Sequence, residues 1–198
     1  MTDPDPNVVV LAGPNGSGKS TMAAALLQGA LAVNEFVNAD TIAQGLSAFA
    51  PTAAALAAGQ IMLRRIRELA RERTNFAFES TLAGRSLAPW LTDLIDSGYR
   101  FHLLFLWLPS PELAVARVVH RVRMGGHDVP EETIRRRYHA GLRNFFGLYR
   151  ALASTWKMYD NSRWMDPRLI ATGRGSSAKR ILDRRKWNRI TRQYDEQG

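Results

Sequence analysis

The stretch Val8-Val9-Val10-Leu11-Ala12-Gly13-Pro14-Asn15-Gly16-Ser17-Gly18-Lys19-Ser20-Thr21 decides the fold. An apolar run runs straight into a glycine-rich loop that ends in Lys-Ser, and an Ala-rich helical segment follows. This is the Walker A pattern in the strand-loop-helix context that gives it meaning. The loop must turn several consecutive backbone N–H groups inward onto phosphate, and Gly13, Gly16 and Gly18 permit that turn where a Cβ would obstruct it. Asn15 and Ser17 complete the loop. Lys19 opens a helix at its electropositive end and is expected to reach the β- and γ-phosphates of ATP. The Ser20 hydroxyl is placed for Mg2+, and Thr21 adds a hydroxyl near the α-phosphate.

Outward from this loop the chain alternates β-like and helical segments, which predicts an α/β protein with a mostly parallel sheet flanked by helices, the P-loop NTPase fold. Strands are expected at Val8–Ala12, Phe36–Asn38, Phe76–Glu79, Arg100–Leu108 and Arg168–Ala171, with a weaker signal at Met158–Tyr159. Helices are expected at Thr52–Glu72, Leu87–Ser97, Pro111–Met124 and Glu131–Ala153. In the third helix Val115, Val118, Val119 and Val122 recur at helical spacing and predict its core face. The 198 residues, 45% hydrophobic and 23% charged, suit one domain, with a core over 7–173 and a basic C-terminal tail over 174–198.

There is no cysteine, which excludes disulfides, thiolate catalysis and cysteine metal sites. The opening Met1-Thr2-Asp3-Pro4-Asp5-Pro6 lacks the basic and apolar regions of a secretory signal. No apolar run reaches the length of a membrane span, so a cytoplasmic protein without a membrane partner is expected. The net charge of +9 leaves two partners in play: a strongly anionic small-molecule substrate, or nucleic acid contacted by the Arg-rich tail. The tail also reads simply as a solvated helix face.

In an open α/β sheet, ligands gather at the carboxyl ends of the strands. Asp40 follows Phe36-Val37-Asn38 and could take a proton from a hydroxyl, hold Mg2+, or cap the helix beginning at Thr41. Glu79 ends Phe76-Ala77-Phe78 like the acid of a Walker B strand and could serve Mg2+ or substrate hydroxyls, or cap the next turn. The segment from Arg117 through Gly125-Gly126-His127-Asp128-Val129-Pro130 reads as a helical, arginine-bearing lid with a glycine hinge. Arg121, Arg123 and Arg136 are its candidate charge-neutralising groups, each against the reading of a solvent-facing side chain, and His127 reads as a hydrogen-bonding loop residue.

Taken together, the Lys19 loop, Val37-Asn38-Ala39-Asp40, Phe78-Glu79-Ser80-Thr81, the arginine-bearing helix and the Gly125–Pro130 turn resemble the zeta toxin family of P-loop kinases. The resemblance covers Val8 to about Ala171. It implies an ATP- and Mg2+-dependent kinase that phosphorylates a nucleotide sugar such as UDP-N-acetylglucosamine, with an antitoxin as partner. It also implies roles: Lys19 on phosphate, Asp40 as base, Glu79 and Thr81 at the sugar nucleotide, and Arg121 as the first lid arginine. The family places a second arginine where this chain has His127, which passes that role to Arg123, Arg136 or another residue. The loop also resembles transporter ATPases, but neither their Leu-Ser-Gly-Gly-Gln-like signature nor an Asp-Glu pair ending an apolar strand is found here. The competing function is an NTP-dependent nucleic-acid binder or polynucleotide kinase that uses the basic tail.

Overall fold

The structure, a computed structural model, describes residues 5–27, 33–47, 53–126, 128–163 and 166–195. Strand β1 (Asn7–Ala12) leads into the phosphate loop and α1 (Lys19–Leu27), followed by β2 (Glu35–Val37), α2 (Ala39–Leu46) and α3 (Ala55–Arg71). Then come β3 (Phe76–Ser80), α4 (Leu87–Asp96), β4 (Arg100–Trp107), α5 (Pro111–Arg123) and α6 (Glu131–Asn144). A π-helical turn (Phe145–Tyr149) and α7 (Arg150–Leu152) precede β5 (Thr155–Asp160), β6 (Arg168–Arg174), β7 (Ser177–Ile181) and α8 (Arg184–Tyr194). The sheet order is β2-β3-β1-β4-β5-β6-β7, parallel through β5 and antiparallel for the last two strands.

β1 lies near the middle of the sheet, and Val8 through Ala12 are fully buried, as a continuous apolar run requires of a strand covered on both faces. Its residues alternate between two cores. Val9 and Leu11 meet Met22, Ala23 and Leu27 of α1, while Val8 and Val10 join the larger cluster built with α3, α4, α6 and α8. The P-loop fold expected from the sequence is therefore the one observed.

Several elements differ from the sequence expectation. The weak signal at Met158–Tyr159 is a full interior strand, β5, paired with β4 on one side and β6 on the other. The long helix from Glu131 is interrupted by the π-helical turn, which buries Phe145, Phe146 and Tyr149 in the core. In α5 the buried residues are Ala114, Arg117 and Val118, whereas Val119 is 45% exposed, because this helix packs on the phosphate loop as well as on the sheet. The stretch beyond 173 is no free arm. β6 continues to Arg174, β7 extends the sheet, and α8 buries Trp187, Ile190 and Tyr194, with Trp187 stacked on Trp156 at 5.5 Å. No helix among the described residues is long and apolar enough to cross a membrane.

Candidate active site

The carboxyl ends of the parallel strands converge on the phosphate loop. Gly13 N–H donates to the Ser80 carbonyl at 3.2 Å, which ties the loop to β3. Gly16 and Gly18 are required here: both have positive φ (+76° and +84°). A Cβ on Gly16 would sit 2.7 Å from the Ala114 carbonyl of α5, and one on Gly18 would sit 2.8 Å from Asn161 Nδ2. Asn161, the residue after β5, is 2% exposed and donates from Nδ2 to the Ser17 carbonyl at 2.7 Å. The loop is thus gripped by β3, α5 and the end of β5. Asn15 Oδ1, Ser17 Oγ and Asn161 Oδ1 are buried around it with no hydrogen-bond partner among the described residues.

Lys19 Nζ donates to the carbonyls of Gly13 (3.0 Å) and Pro14 (3.1 Å), folded back across the loop. Burial holds its ammonium below the usual lysine range, opposed by the nearby carboxylates of Glu79 and Asp40. Burial also pushes the Glu79 carboxyl upward, opposed chiefly by Lys19.

Asp40 sits in the first turn of α2, but the residue that caps this helix is Asn38, whose Oδ1 accepts from the Asp40 N–H at 2.8 Å. The Asp40 carboxylate is 48% exposed and lies 3.7 Å from Arg121 NH1. Glu79 accepts from Asn38 Nδ2 at 2.9 Å, and the same amide donates to Ser20 Oγ at 3.1 Å. The turn after β3 is capped by Ser80, whose Oγ accepts from Leu82 N–H at 3.0 Å.

Two cavities open from this point. The first, of 300 Å³, is lined by the phosphate loop through Thr21 and by Arg117, His120, Arg121 and Met124 of the α5 side. The second, of 420 Å³, is lined by Ser80, Thr81, Ala83 and Gly84 after β3 and by Arg136 and Arg137 of α6. Asn15, Lys19, Asp40 and Glu79 line both. α6 is set over β3 by Gly141, where a Cβ would collide with the Thr81 carbonyl, so Arg137 one turn earlier on that side reaches the second cavity. Burial and the neighbouring Arg136 lower the Arg137 pKa, opposed by Asp40.

Of the residues expected from the sequence, the loop residues Asn15 to Thr21 other than Ser17, with Asp40, Glu79, Thr81, Arg121 and Arg136, line one or both cavities. Gly13 and Ser17 are buried beneath the loop, and Arg123 is exposed and lines neither cavity. His127 lies outside the described residues. Arg117 is not solvent-facing: it is 9% exposed, and its NH2 donates to the Ser162 carbonyl at 2.8 Å. Arg135 is held by Glu112 (2.6 Å) and Glu131 (2.8 Å) away from the cavities. Sequence reading assigned no role to Asn38, Asn161 or His120, and named Arg137 only as one of the arginines Arg135-Arg136-Arg137 of the lid's second helix. For Asn38 and Asn161 the signal was their position directly after a strand.

Ser20 Oγ and Glu79 offer hard oxygens beside the loop, a donor set that fits Mg2+ held mainly by phosphate and water. Among the described residues no group of three or more His, Cys, Asp or Glu side chains could hold a metal by itself.

Fold and site together define a P-loop nucleoside-triphosphate-binding protein. Residues 8–141 match the model of the family AAA_33, described as an AAA domain, and the chain belongs to that family. A relative from Haemophilus influenzae, described only as an uncharacterized protein, is 30% identical over 126 residues, 64% of this chain and 88% of the relative. Among solved structures, the AvrRxo1-ORF1:-ORF2 complex with ATP superposes with a TM-score of 0.73 at 15% identity, covering 95% of this chain. This chain spans 64% of that protein's length. A chain of the PezAT chromosomal toxin–antitoxin system of Streptococcus pneumoniae gives 0.64 at 16% identity, covering 99% of this chain and 88% of that one. A gluconokinase from Sinorhizobium meliloti gives 0.50 at 20% identity, covering 80% and 84%. At these identities the likeness is one of fold: the chain has a P-loop kinase-like fold shared with toxin–antitoxin and small-molecule kinase structures.

Proposed function

We propose that the protein is an ATP-dependent kinase of the zeta toxin type that transfers the γ-phosphoryl group to a hydroxyl of a nucleotide sugar, UDP-N-acetylglucosamine being the leading candidate. The observation that carries this reading is the shared wall: Asp40, Lys19 and Glu79 stand between a cavity lined by the phosphate loop and a cavity lined by Thr81, Arg136 and Arg137. With ATP in the first and the acceptor in the second, Asp40 takes the proton of the acceptor hydroxyl while its oxygen bonds to the γ-phosphorus. The bond from that phosphorus to the β-phosphate bridging oxygen breaks, and ADP leaves. Lys19 and Arg121 neutralise the charge on the transferring group, and Glu79 and Thr81 hold the sugar. Arg136, in the wall of the second cavity, faces the acceptor phosphates. Ser20 and Glu79 are the residues that would hold Mg2+, which would supply neutralisation of the phosphate charge.

A toxin role, with an antitoxin closing the nucleotide cavity in the cytoplasm, is the corresponding biology and draws support from the likeness to the PezAT chain. The nucleic-acid reading draws less support. Trp187 and Tyr194, the aromatic residues among the tail cations, are 6% and 7% exposed and so offer no stacking platform.

The test is mass spectrometry of products after incubation with ATP, Mg2+ and a panel of nucleotide sugars, with Lys19→Ala and Asp40→Ala as controls. One acceptor gaining a phosphate in the wild type alone is the expected result. ATP left intact or merely hydrolysed across the panel overturns the nucleotide-sugar assignment and makes polynucleotide acceptors the next panel.

A further inference from the structure

Asn38 stands directly after β2 and is 7% exposed. Its Oδ1 accepts from two backbone N–H groups, Asp40 at 2.8 Å and Thr41 at 3.4 Å. Its Nδ2 donates to Ser20 Oγ at 3.1 Å and to Glu79 Oε1 at 2.9 Å. Both amide hydrogens and both carbonyl lone pairs are therefore used. The orientation follows from chemistry: a flipped amide would set its oxygen against the Glu79 carboxylate and its NH2 against two N–H donors.

An N-cap needs only the oxygen, and Ser, Thr or Asp would supply one. The amide nitrogen is surplus to capping, and it is this nitrogen that reaches α1 and β3. Three separate parts of the site thus meet on one side chain: Ser20 in the first turn of α1, Glu79 near the end of β3, and the first turn of α2, which carries Asp40.

We propose that Asn38 is a positioning residue that couples the metal-facing pair, Ser20 and Glu79, to Asp40. This rests on the reading of Asp40 as the base given above. A movement of Ser20 or Glu79 as Mg-nucleotide enters is transmitted through the amide to the α2 N-terminus. The reverse also holds: α2 cannot tilt Asp40 away from the acceptor cavity without breaking the bonds that align Ser20 and Glu79. Neighbours of a metal site that orient its ligands are typically worth about 10- to 100-fold in metal affinity or activity.

The two halves of the amide can be separated by mutation. Asn38→Ser keeps a capping oxygen but is too short to reach Ser20 or Glu79, whereas Asn38→Ala loses the cap as well. In the whole protein, three quantities are measured: thermal unfolding, affinity for the non-hydrolysable analogue AMP-PNP with Mg2+ and with EDTA, and single-turnover ATP hydrolysis by water. For Asn38→Ser the melting temperature and the EDTA affinity are expected to stay near wild type. The gain in affinity on adding Mg2+ should shrink roughly tenfold, with hydrolysis falling about as much. Asn38→Ala should show the same functional losses at a lower melting temperature. An undiminished Mg2+ gain in Asn38→Ser, or functional losses that simply follow melting temperature across the variants, overturns the proposal. Asp40→Asn serves as the control: phosphoryl transfer to the acceptor at the wild-type rate there overturns Asp40 as base, while the Mg2+ gain still decides the metal-side role of Asn38.

Discussion

Lys186 of α8 places its ammonium 2.9 Å from Asp160 Oδ2 at the end of β5, and 3.0 Å from Asp183 Oδ2. Asp160 is 5% exposed, and the next residue, Asn161, holds the Ser17 carbonyl of the phosphate loop. The C-terminal helix is thereby joined to the nucleotide site through two consecutive residues. Its other end is fixed by Arg150 on Asp195 at 2.6 Å.

Lys186→Met should destabilise the fold, because it leaves the Asp160 carboxylate buried without its cation. Breaking a fully buried pair costs about 3–5 kcal/mol, and the partial exposure of Lys186 reduces this to roughly 1–3 kcal/mol. At about 2–4 °C per kcal/mol for a chain of this size, the melting temperature falls by several degrees. Burial raises the Asp160 carboxyl pKa, but hydrogen bonds from Lys186 and Ser162 outweigh it and hold the group below its ordinary value. A depressed carboxylate stabilises the fold above its unfolded pKa and loses that contribution as pH falls through the folded one. The gap between wild type and variant should therefore be wide at pH 7 and shrink below about pH 4. A gap that is unchanged in acid would show that the ion pair is not its source.

Gly16→Ala and Gly45→Ala should have opposite consequences. The first places a methyl 2.7 Å from a backbone carbonyl of α5 at positive φ, so the loop must move. Nucleotide affinity is expected to fall by at least about tenfold, since the loop's inward N–H groups are the proposed phosphate contacts. Gly45 lies in α2 with open space around its Cβ, and alanine there should stabilise by roughly 0.5–1 kcal/mol through helix propensity. Calorimetric titration with AMP-PNP and thermal melts distinguish the two, and normal nucleotide binding by Gly16→Ala would contradict the close packing of the loop on α5.

With Lys19 as the proposed phosphate-binding lysine, nucleotide binding should depend on pH. Its ammonium is held below the usual lysine range, first by burial and then by Arg121 and Arg137, with Glu79 and Asp40 opposing. A lowered pKa means that the charge is lost as pH rises through a value under the ordinary 10.5, so AMP-PNP affinity should begin to decline earlier on the alkaline side than a free lysine would dictate. Lys19→Met should bind at least about 30-fold more weakly at neutral pH and lose this decline. An alkaline decline that persists in Lys19→Met would assign the titration to another group.

The parts of the site legible in sequence were those in which local pattern and chemistry coincide. The apolar run before Gly13 and the glycine spacing are both local, so loop, strand and helix followed directly. Asp40 and Glu79 were legible because each follows an apolar stretch whose end must lie at the carboxyl edge of a parallel sheet. β5 was faint because Thr155, Lys157 and Tyr159 alternate with Trp156, Met158 and Asp160, and the strand carries polar groups on both faces. β7 is exposed along its whole length, Ser177-Ala178-Lys179-Arg180-Ile181, and gave no apolar signal; it is a strand because β6 offers it an edge. In α8 the spacing of Trp187, Ile190 and Tyr194 was present but lay under the tail's charge. Val119 was expected in the core by periodicity, yet α5 rotates Arg117 inward to contact Ser162, a tertiary demand that no helical pattern contains. Asn38 was overlooked because its three partners lie on α1, β3 and α2, which meet only in the folded sheet.

Arg121 and Asp40 form an ion pair at 3.7 Å with both side chains more than a third exposed, so the pair contributes under about 1 kcal/mol to the fold. Arg121→Ala should therefore melt within a degree or two of wild type, and any large effect must appear in catalysis. An arginine that neutralises charge on a transferring phosphoryl is worth up to about 10³- to 10⁵-fold in rate. Because Lys19 shares the cavity with Arg121, a loss near 10²- to 10³-fold in kcat is expected, with a smaller loss in AMP-PNP affinity. Arg121→Lys keeps the charge but not the planar fork and should fall between the two. On the proposed function, entering γ-phosphate is expected to compete with Asp40 for the guanidinium and so to release the carboxylate. Single-turnover kinetics on the three proteins test this, and a wild-type kcat in Arg121→Ala would remove Arg121 from the transfer step.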